Sequence, residues 1–189
     1  MEPLCADFTA SIVLPARWAG NDRRVAFFPG STIGNFDVNG ATDLLRKIRA
    51  LVGARGRLLI GVDVPKDRAT LELAYDDPQG VTAAFNLNIL DHLNALFDAD
   101  FETGRFRHEA VWDEDRSRVE MHLRCTEAHH VTLAGTRLHF PQGQSIWTES
   151  SYKYRPDVFC DIAAGAGFRA EQVWFDSARR YSLHLMQAS

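Results

Sequence analysis

The chain has 189 residues, 46% hydrophobic and 24% charged, with a net charge of −4. That composition supports one core of good size or two small lobes. The scattered Lys and Arg form no stripe suited to nucleic acid, and the longest apolar runs, such as residues 58–62, are too short to cross a bilayer. The N-terminus lacks the basic start and long apolar stretch of a secretory leader. Cys5, Cys125 and Cys160 form no CxxC pair and leave one unpaired, which fits reduced thiols in a cytoplasmic protein.

In chain order, Val25-Ala26-Phe27-Phe28 is a short continuous apolar run, broken by Pro29-Gly30-Ser31-Thr32-Ile33-Gly34-Asn35. Leu44, Leu45, Ile48, Leu51 and Val52 then share one helix face, with Gly53 as the stop. A second apolar run covers 57–62. Strand, turn, helix and strand without polar alternation predict a parallel sheet covered on both faces. After Lys66 the character changes. A helix is expected over Arg68–Tyr75, then a turn at Asp76-Asp77-Pro78-Gln79-Gly80. A longer amphipathic helix should carry Val81, Phe85, Ile89, Leu93 and Leu96. Residues 118–124 alternate apolar and polar, the mark of a half-buried antiparallel strand. Further strands are expected at 106–112, 131–133, 137–140 and 145–154. Pro156 fits the first turn of a helix running to Ile162, with Gly165 as its stop, and strands at 168–175 and 181–186 follow. The result is an α/β fold in which residues 1–65 and 154–189 form one domain and 66–153 an inserted α+β lobe.

Three stretches stand out chemically. Gly30-Ser31-Thr32-Ile33-Gly34-Asn35 follows a buried strand, where ligands of open α/β sheets sit. It is either a plain tight turn or a binding turn. Asn35 offers a donor and an acceptor, which suits an amine and a carboxylate. Period two places Trp147, Glu149, Ser151 and Lys153 on one strand face. Glu149 and Ser151 suit the two nitrogens of an imidazole, although the residues alone favour a solvated strand face, with Glu149 paired to Lys153. His129-His130 and the isolated histidines lack metal-site spacing. Glu120 and His122 share a face, but no metal is expected.

GSTIGNF, YDDPQGVTAAFNLNIL at 75–90, VEMHLR at 119–124 and TESSYKYRP at 148–156 together resemble the histidine-specific Nα-methyltransferases of ergothioneine biosynthesis. The likeness runs across nearly the whole chain. It implies the C-terminal part of a class I, Rossmann-like methyltransferase sheet with an inserted substrate lobe. It also implies S-adenosyl-L-methionine as methyl donor and L-histidine as substrate, methylated towards its trimethyl betaine, hercynine. Carried over, Asn35 holds the amine and carboxylate, Tyr75 binds the carboxylate, and Glu149 with Ser151 reads the ring. Met121 lines the imidazole pocket, Gly30 lies near substrate and donor, and Asp7-Phe8 resembles the acid–aromatic step beside the adenine.

The family's glycine-rich nucleotide turn and ribose-gripping acid have no counterpart near the start of this chain. A truncated form with little or no activity alone is therefore expected. Self-association through an exposed sheet edge is expected too. The alternatives are a non-catalytic binding or assembly module and a methyltransferase for another amine.

Overall fold

The computed structural model describes residues 3–18 and 23–189. The chain divides into two compact units, Met1–Pro65 with Tyr152–Ser189, and Lys66–Ser151. Each is built around its own apolar cluster.

In the first unit, β1 (Val25–Phe28) pairs in parallel with β2 (Arg57–Asp63), as the two apolar runs predict. Between them lies α1 (Val38–Val52). Its start is capped by Asp37, which accepts from the Gly40 N–H at 2.8 Å, and Gly53 ends it at φ 84°. Leu44, Leu45, Ile48 and Val52 are buried on its inner face. At the other end of the chain, α4 (Pro156–Gly165) leads into β8 (Phe168–Phe175) and β9 (Tyr181–Ala188). β9 inserts antiparallel beside β2, giving the order β1-β2-β9-β8. Helix α4 runs three residues past Ile162. Gly165 is its last residue rather than its stop, and the left-handed backbone falls at Gly167, φ 85°.

The expectation of a doubly covered sheet fails at β1. Val25 and Phe27 are 61% and 67% exposed, and no strand lies beyond β1 among the described residues. On β2, Leu58, Ile60 and Val62 are fully buried in the main cluster with residues of α1 and α4, while Leu59, pointing to the opposite face, is half-buried.

The second unit holds α2 (Arg68–Tyr75), α3 (Val81–Phe97) and five strands: β3 (Phe106–Asp113), β4 (Arg118–Cys125), β5 (His129–Leu133), β6 (Thr136–Phe140) and β7 (Ser145–Tyr152). β3, β4 and β7 form one sheet in that order, and β5 with β6 is a separate hairpin. The long helix exists where the sequence puts it, but its inner face does not. Phe85 and Leu96, assigned to the buried stripe, are 62% and 74% exposed, and Val81 is also exposed. Asn86 and Leu90 are buried instead, with Leu87 and Leu93 packed on Phe106, Leu123 and Phe140. Apolar residues occur almost all round α3, so periodicity alone could not set its phase.

The chain leaves the first unit after Pro65 and re-enters it at Tyr152, close to Asp63 and Lys153 in sequence. There Lys153 Nζ lies 2.9 Å from Asp63 Oδ2, with the Lys side chain essentially inaccessible, and the Tyr154 N–H donates to the Asp63 carbonyl at 3.2 Å. Lys153 is thus paired with Asp63. Removing one partner strands a buried charge, which costs about 3–5 kcal/mol. Asp63→Ala is therefore expected to lower unfolding stability by that amount in denaturant titration. Adding Lys153→Met to Asp63→Ala should restore most of it, and a double variant as unstable as the single would contradict the pairing.

Candidate functional site

The turn leaving β1 is held at three points by other parts of the first unit. Ser31 sits in the left-handed region at φ 55°, and its Oγ accepts from the Asp63 N–H at 2.8 Å. The Tyr181 hydroxyl donates to the Pro29 carbonyl, and the Tyr154 hydroxyl donates to the Phe36 carbonyl at 2.6 Å. Burial pushes both phenols above their ordinary value, so both stay protonated donors at neutral pH. Gly61 on β2 is required by this arrangement, because a Cβ there would overlap the Tyr181 hydroxyl and the Pro29 oxygen. Ile33 and Gly34 are buried inside the short 3₁₀ turn Thr32–Asn35, and Asn35 emerges exposed at its end. Gly30 is open: a Cβ would meet only the Thr32 hydroxyl, at 3.6 Å.

Upstream, the Phe8 ring packs on Phe28, at the carboxyl end of β1, with centroids 5.8 Å apart, and keeps part of its surface exposed. Asp7 accepts from the Thr9 hydroxyl at 2.7 Å and the Thr9 N–H at 2.8 Å. Those two bonds hold its carboxyl below the ordinary carboxylate range. A cleft of about 510 Å³ is lined by Phe8, Ile12, Leu14, Arg24 and Lys47 among others, but not by Asp7 or Gly30.

In the second unit, Tyr75 is the last residue of α2. Leu71, Trp112 and Val119 form the small cluster against which it packs. Its hydroxyl donates to Ser151 Oγ at 2.7 Å, joining two predicted residues 76 positions apart in sequence. Along β7 the alternate positions sink progressively: Ser145 and Trp147 are exposed, Glu149 is half-buried and Ser151 buried. Met121, on β4, is buried, and its carbonyl accepts from the Thr148 hydroxyl at 2.9 Å. Asn35, Gly30, Asp7 and Phe8 belong to the first unit, and Tyr75, Met121, Glu149 and Ser151 to the second.

Asp77, two residues past Tyr75, holds the start of α3. Its carboxylate accepts from the Thr82 N–H at 2.8 Å and the Val81 N–H at 3.1 Å. The Thr82 side chain and these amides draw its pKa from 3.8 to about 2. Two residues that the sequence reading passed over also lie here. Asn86, fully buried in α3, places Nδ2 2.9 Å from Nδ1 of His108, and Nε2 of His108 lies 2.7 Å from the Tyr75 carbonyl. The detectable signal was a polar Asn set between Phe85 and Leu87 in α3.

Glu120 and His122 share a face as expected, and they are bonded to each other. His122 Nε2 lies 2.9 Å from Glu120, its Nδ1 2.9 Å from the Ser145 hydroxyl, and Arg118 also pairs with Glu120. The Arg118 guanidinium stacks 4.4 Å over Trp147. Among the described residues, no group of three or more His, Cys, Asp or Glu is placed to hold a metal ion, and no helix is long and apolar enough to cross a membrane.

Residues 1–188 match the family model described as histidine-specific methyltransferase, SAM-dependent. The histidine N-alpha-methyltransferase of Mycolicibacterium smegmatis is 37% identical over 187 residues, covering 98% of this chain and 57% of the relative. That of Mycobacterium tuberculosis is 36% identical over 184 residues, covering 96% and 56%. The chain thus spans little more than half the length of these relatives. Among solved structures, an S-adenosylmethionine-dependent methyltransferase from Clostridium acetobutylicum aligns over 98% of this chain and 64% of its own, with a TM-score of 0.50 at 6% identity. That likeness shows a methyltransferase-type α/β fold.

The Asp77 cap has a pH signature. Its folded pKa lies below the unfolded one, so its stabilisation is present above about pH 4 and is lost as pH falls through about 2. The thermal midpoint of the native chain should fall more steeply across that window than that of Asp77→Ala. Equal slopes in calorimetry at matched ionic strength would refute the cap.

Proposed function

The chain belongs to the family of histidine-specific, S-adenosylmethionine-dependent methyltransferases, and from that membership we propose that its residues serve Nα-methylation of L-histidine towards the trimethyl betaine. The observation that carries this reading is the second-unit constellation, in which Tyr75 bonds directly to buried Ser151 and Glu149 stands two residues before it on the same strand. A half-buried carboxylate and an oriented hydroxyl about 7 Å apart along a strand match the two nitrogens of an imidazole. Glu149 accepts the ring N–H, Ser151 serves the other nitrogen, and Met121 provides apolar lining.

Asn35 is assigned to the amino-acid end, where its amide donates to the carboxylate and its oxygen accepts from the amine, leaving the nitrogen lone pair free. Tyr75 is assigned to the same end by resemblance. The donor, when bound, supplies a methyl group on a sulfonium; each transfer forms a C–N bond, breaks a C–S bond and releases one proton from the amine. The residues fit part of that donor. The partly exposed Phe8 ring offers a face for a purine, Asp7 sits beside it, and Gly30 leaves open space along the backbone. Positioning an amine in line with the sulfonium is the main contribution asked of the protein.

Glu149→Gln keeps the shape and removes the charge of the ring acceptor. A charge-assisted bond of this kind is worth about 1.5–3 kcal/mol. Histidine affinity is expected to fall roughly ten- to hundredfold by titration calorimetry. Unchanged affinity would remove Glu149 from the site.

Self-association through β1 accompanies this reading. Among the described residues β1 lies at the edge of its sheet, beside exposed Val25 and Phe27, a template for a second strand. Two copies pairing edges about a two-fold axis would cover it. Light scattering should report a dimer that Phe27→Lys weakens. A monodisperse native monomer would rule the dimer out.

A further inference from the structure

Tyr75 is the last residue of α2, so its carbonyl is one of those that a helix end leaves without an intrahelical donor. The donor it receives comes from β3: His108 Nε2, at 2.7 Å. A carbonyl only accepts, so Nε2 carries the proton. The other ring nitrogen, Nδ1, faces the Asn86 amide nitrogen at 2.9 Å, which only donates. Both contacts are satisfied at once by one species, the neutral ring protonated on Nε2. Asn86 is fully buried, and its second N–H reaches the His122 carbonyl at 3.3 Å, while its Oδ1 has no partner among the described residues. Asn is a poor residue for a helix interior, and a bare buried acceptor is unfavourable. Neither cost serves the packing of α3, since an apolar residue at position 86 would fill the same place.

What the arrangement does is fix a chain of contacts. Asn86 sets the tautomer of His108, His108 holds the backbone of Tyr75, and the Tyr75 hydroxyl donates to Ser151 Oγ. That bond fixes where the Ser151 hydroxyl sits, two residues after Glu149 on the same strand. The Glu149 carboxylate and the Ser151 hydroxyl, so placed, are the pair assigned to the imidazole. We infer that His108 and Asn86 are positioning residues for substrate recognition, acting through Tyr75 on the Ser151 hydroxyl, and that Tyr75 contributes to reading the ring and not only to holding a carboxylate. This rests on the assignment of Glu149 and Ser151 to the imidazole.

The test uses the full chain, in three arms. Ring ¹⁵N spectra of the native protein at neutral pH should show His108 protonated on Nε2 and bare on Nδ1; the opposite tautomer overturns the inference. His108→Leu removes both bonds, and His108→Gln keeps a donor for the Tyr75 carbonyl. In His108→Leu the Tyr75 ring resonances should shift, and L-histidine affinity should fall about tenfold in calorimetry. His108→Gln should lie closer to native in both. Unmoved Tyr75 resonances in a folded His108→Leu protein overturn the inference. If His108→Leu does not fold, the tautomer and the His108→Gln comparison decide, with a Tyr75 shift in His108→Gln as large as that of Tyr75→Phe counting against it. If the native chain binds no histidine, the assignment of the ring site fails for this chain, while the tautomer and the Tyr75 resonances still decide whether His108 positions Tyr75.

Discussion

The Lys153–Asp63 ion pair is the constraint on which the layout of the chain depends. An insertion of more than eighty residues into a sheet is tolerated when its two ends leave and return at neighbouring points, because loop-closure entropy grows only slowly with length. Asp63 ends β2 and Lys153 follows β7, and the pair is buried with a backbone bond from Tyr154 beside it. An isolated buried ammonium would be prohibitive, so the sequence at the return is tied to that at the exit. The same stretch of β2 holds the turn that follows β1. The Asp63 N–H is taken by Ser31, and Gly61 makes room for the Tyr181 hydroxyl at Pro29. One strand end thus anchors both the inserted unit's connections and the turn that presents Asn35.

Where the sequence pattern and a dominant physical term coincide, the fold was legible. The apolar runs of β1 and β2 could only be sheet strands, and α1 declared its face through Leu44, Leu45, Ile48 and Val52 because its other face is polar. In α3 the pattern is not exclusive. Apolar side chains point almost everywhere, and the buried face was chosen by what the sheet offered, namely Phe106, Leu123 and Phe140. The buried stripe therefore centres on Leu90 and includes Asn86, a polar residue that a hydrophobicity pattern assigns to the outside. The end of α4 shows a smaller version of the same limit. Gly165 and Gly167 both qualify as stops by composition, and the left-handed backbone selects the second.

The candidate site divides along similar lines. Asn35, Glu149 and Ser151 could be picked out because a glycine-bounded turn and a period-two strand each leave a short list of outward residues. Asn86 and His108 could not, because their roles depend on a contact between a helix and a strand distant in sequence. The positions that break local rules are the telling ones: Ser31 in the left-handed region, Asn86 inside a helix, His108 against a helix-terminal carbonyl. Each is a cost that packing alone does not require, and such conflicts concentrate where function constrains a fold.

The direction of the hydrogen bonds then determines what the second unit can recognise. The Tyr75 carbonyl places the proton of His108 on Nε2, and the Asn86 amide agrees with it. The Tyr75 hydroxyl, at the other end of the same residue, bonds to Ser151. A hydroxyl left to itself rotates to suit either a donor or an acceptor, and so discriminates poorly between imidazole tautomers or between a ring nitrogen and a carbonyl. One held at 2.7 Å by the Tyr75 hydroxyl is placed more narrowly. Recognition by such a pair owes more to the ordered polar chain behind the strand than to the two residues that would touch the ligand. The buried amide and imidazole are in that sense part of the specificity of the site, although neither side chain contacts Ser151 itself.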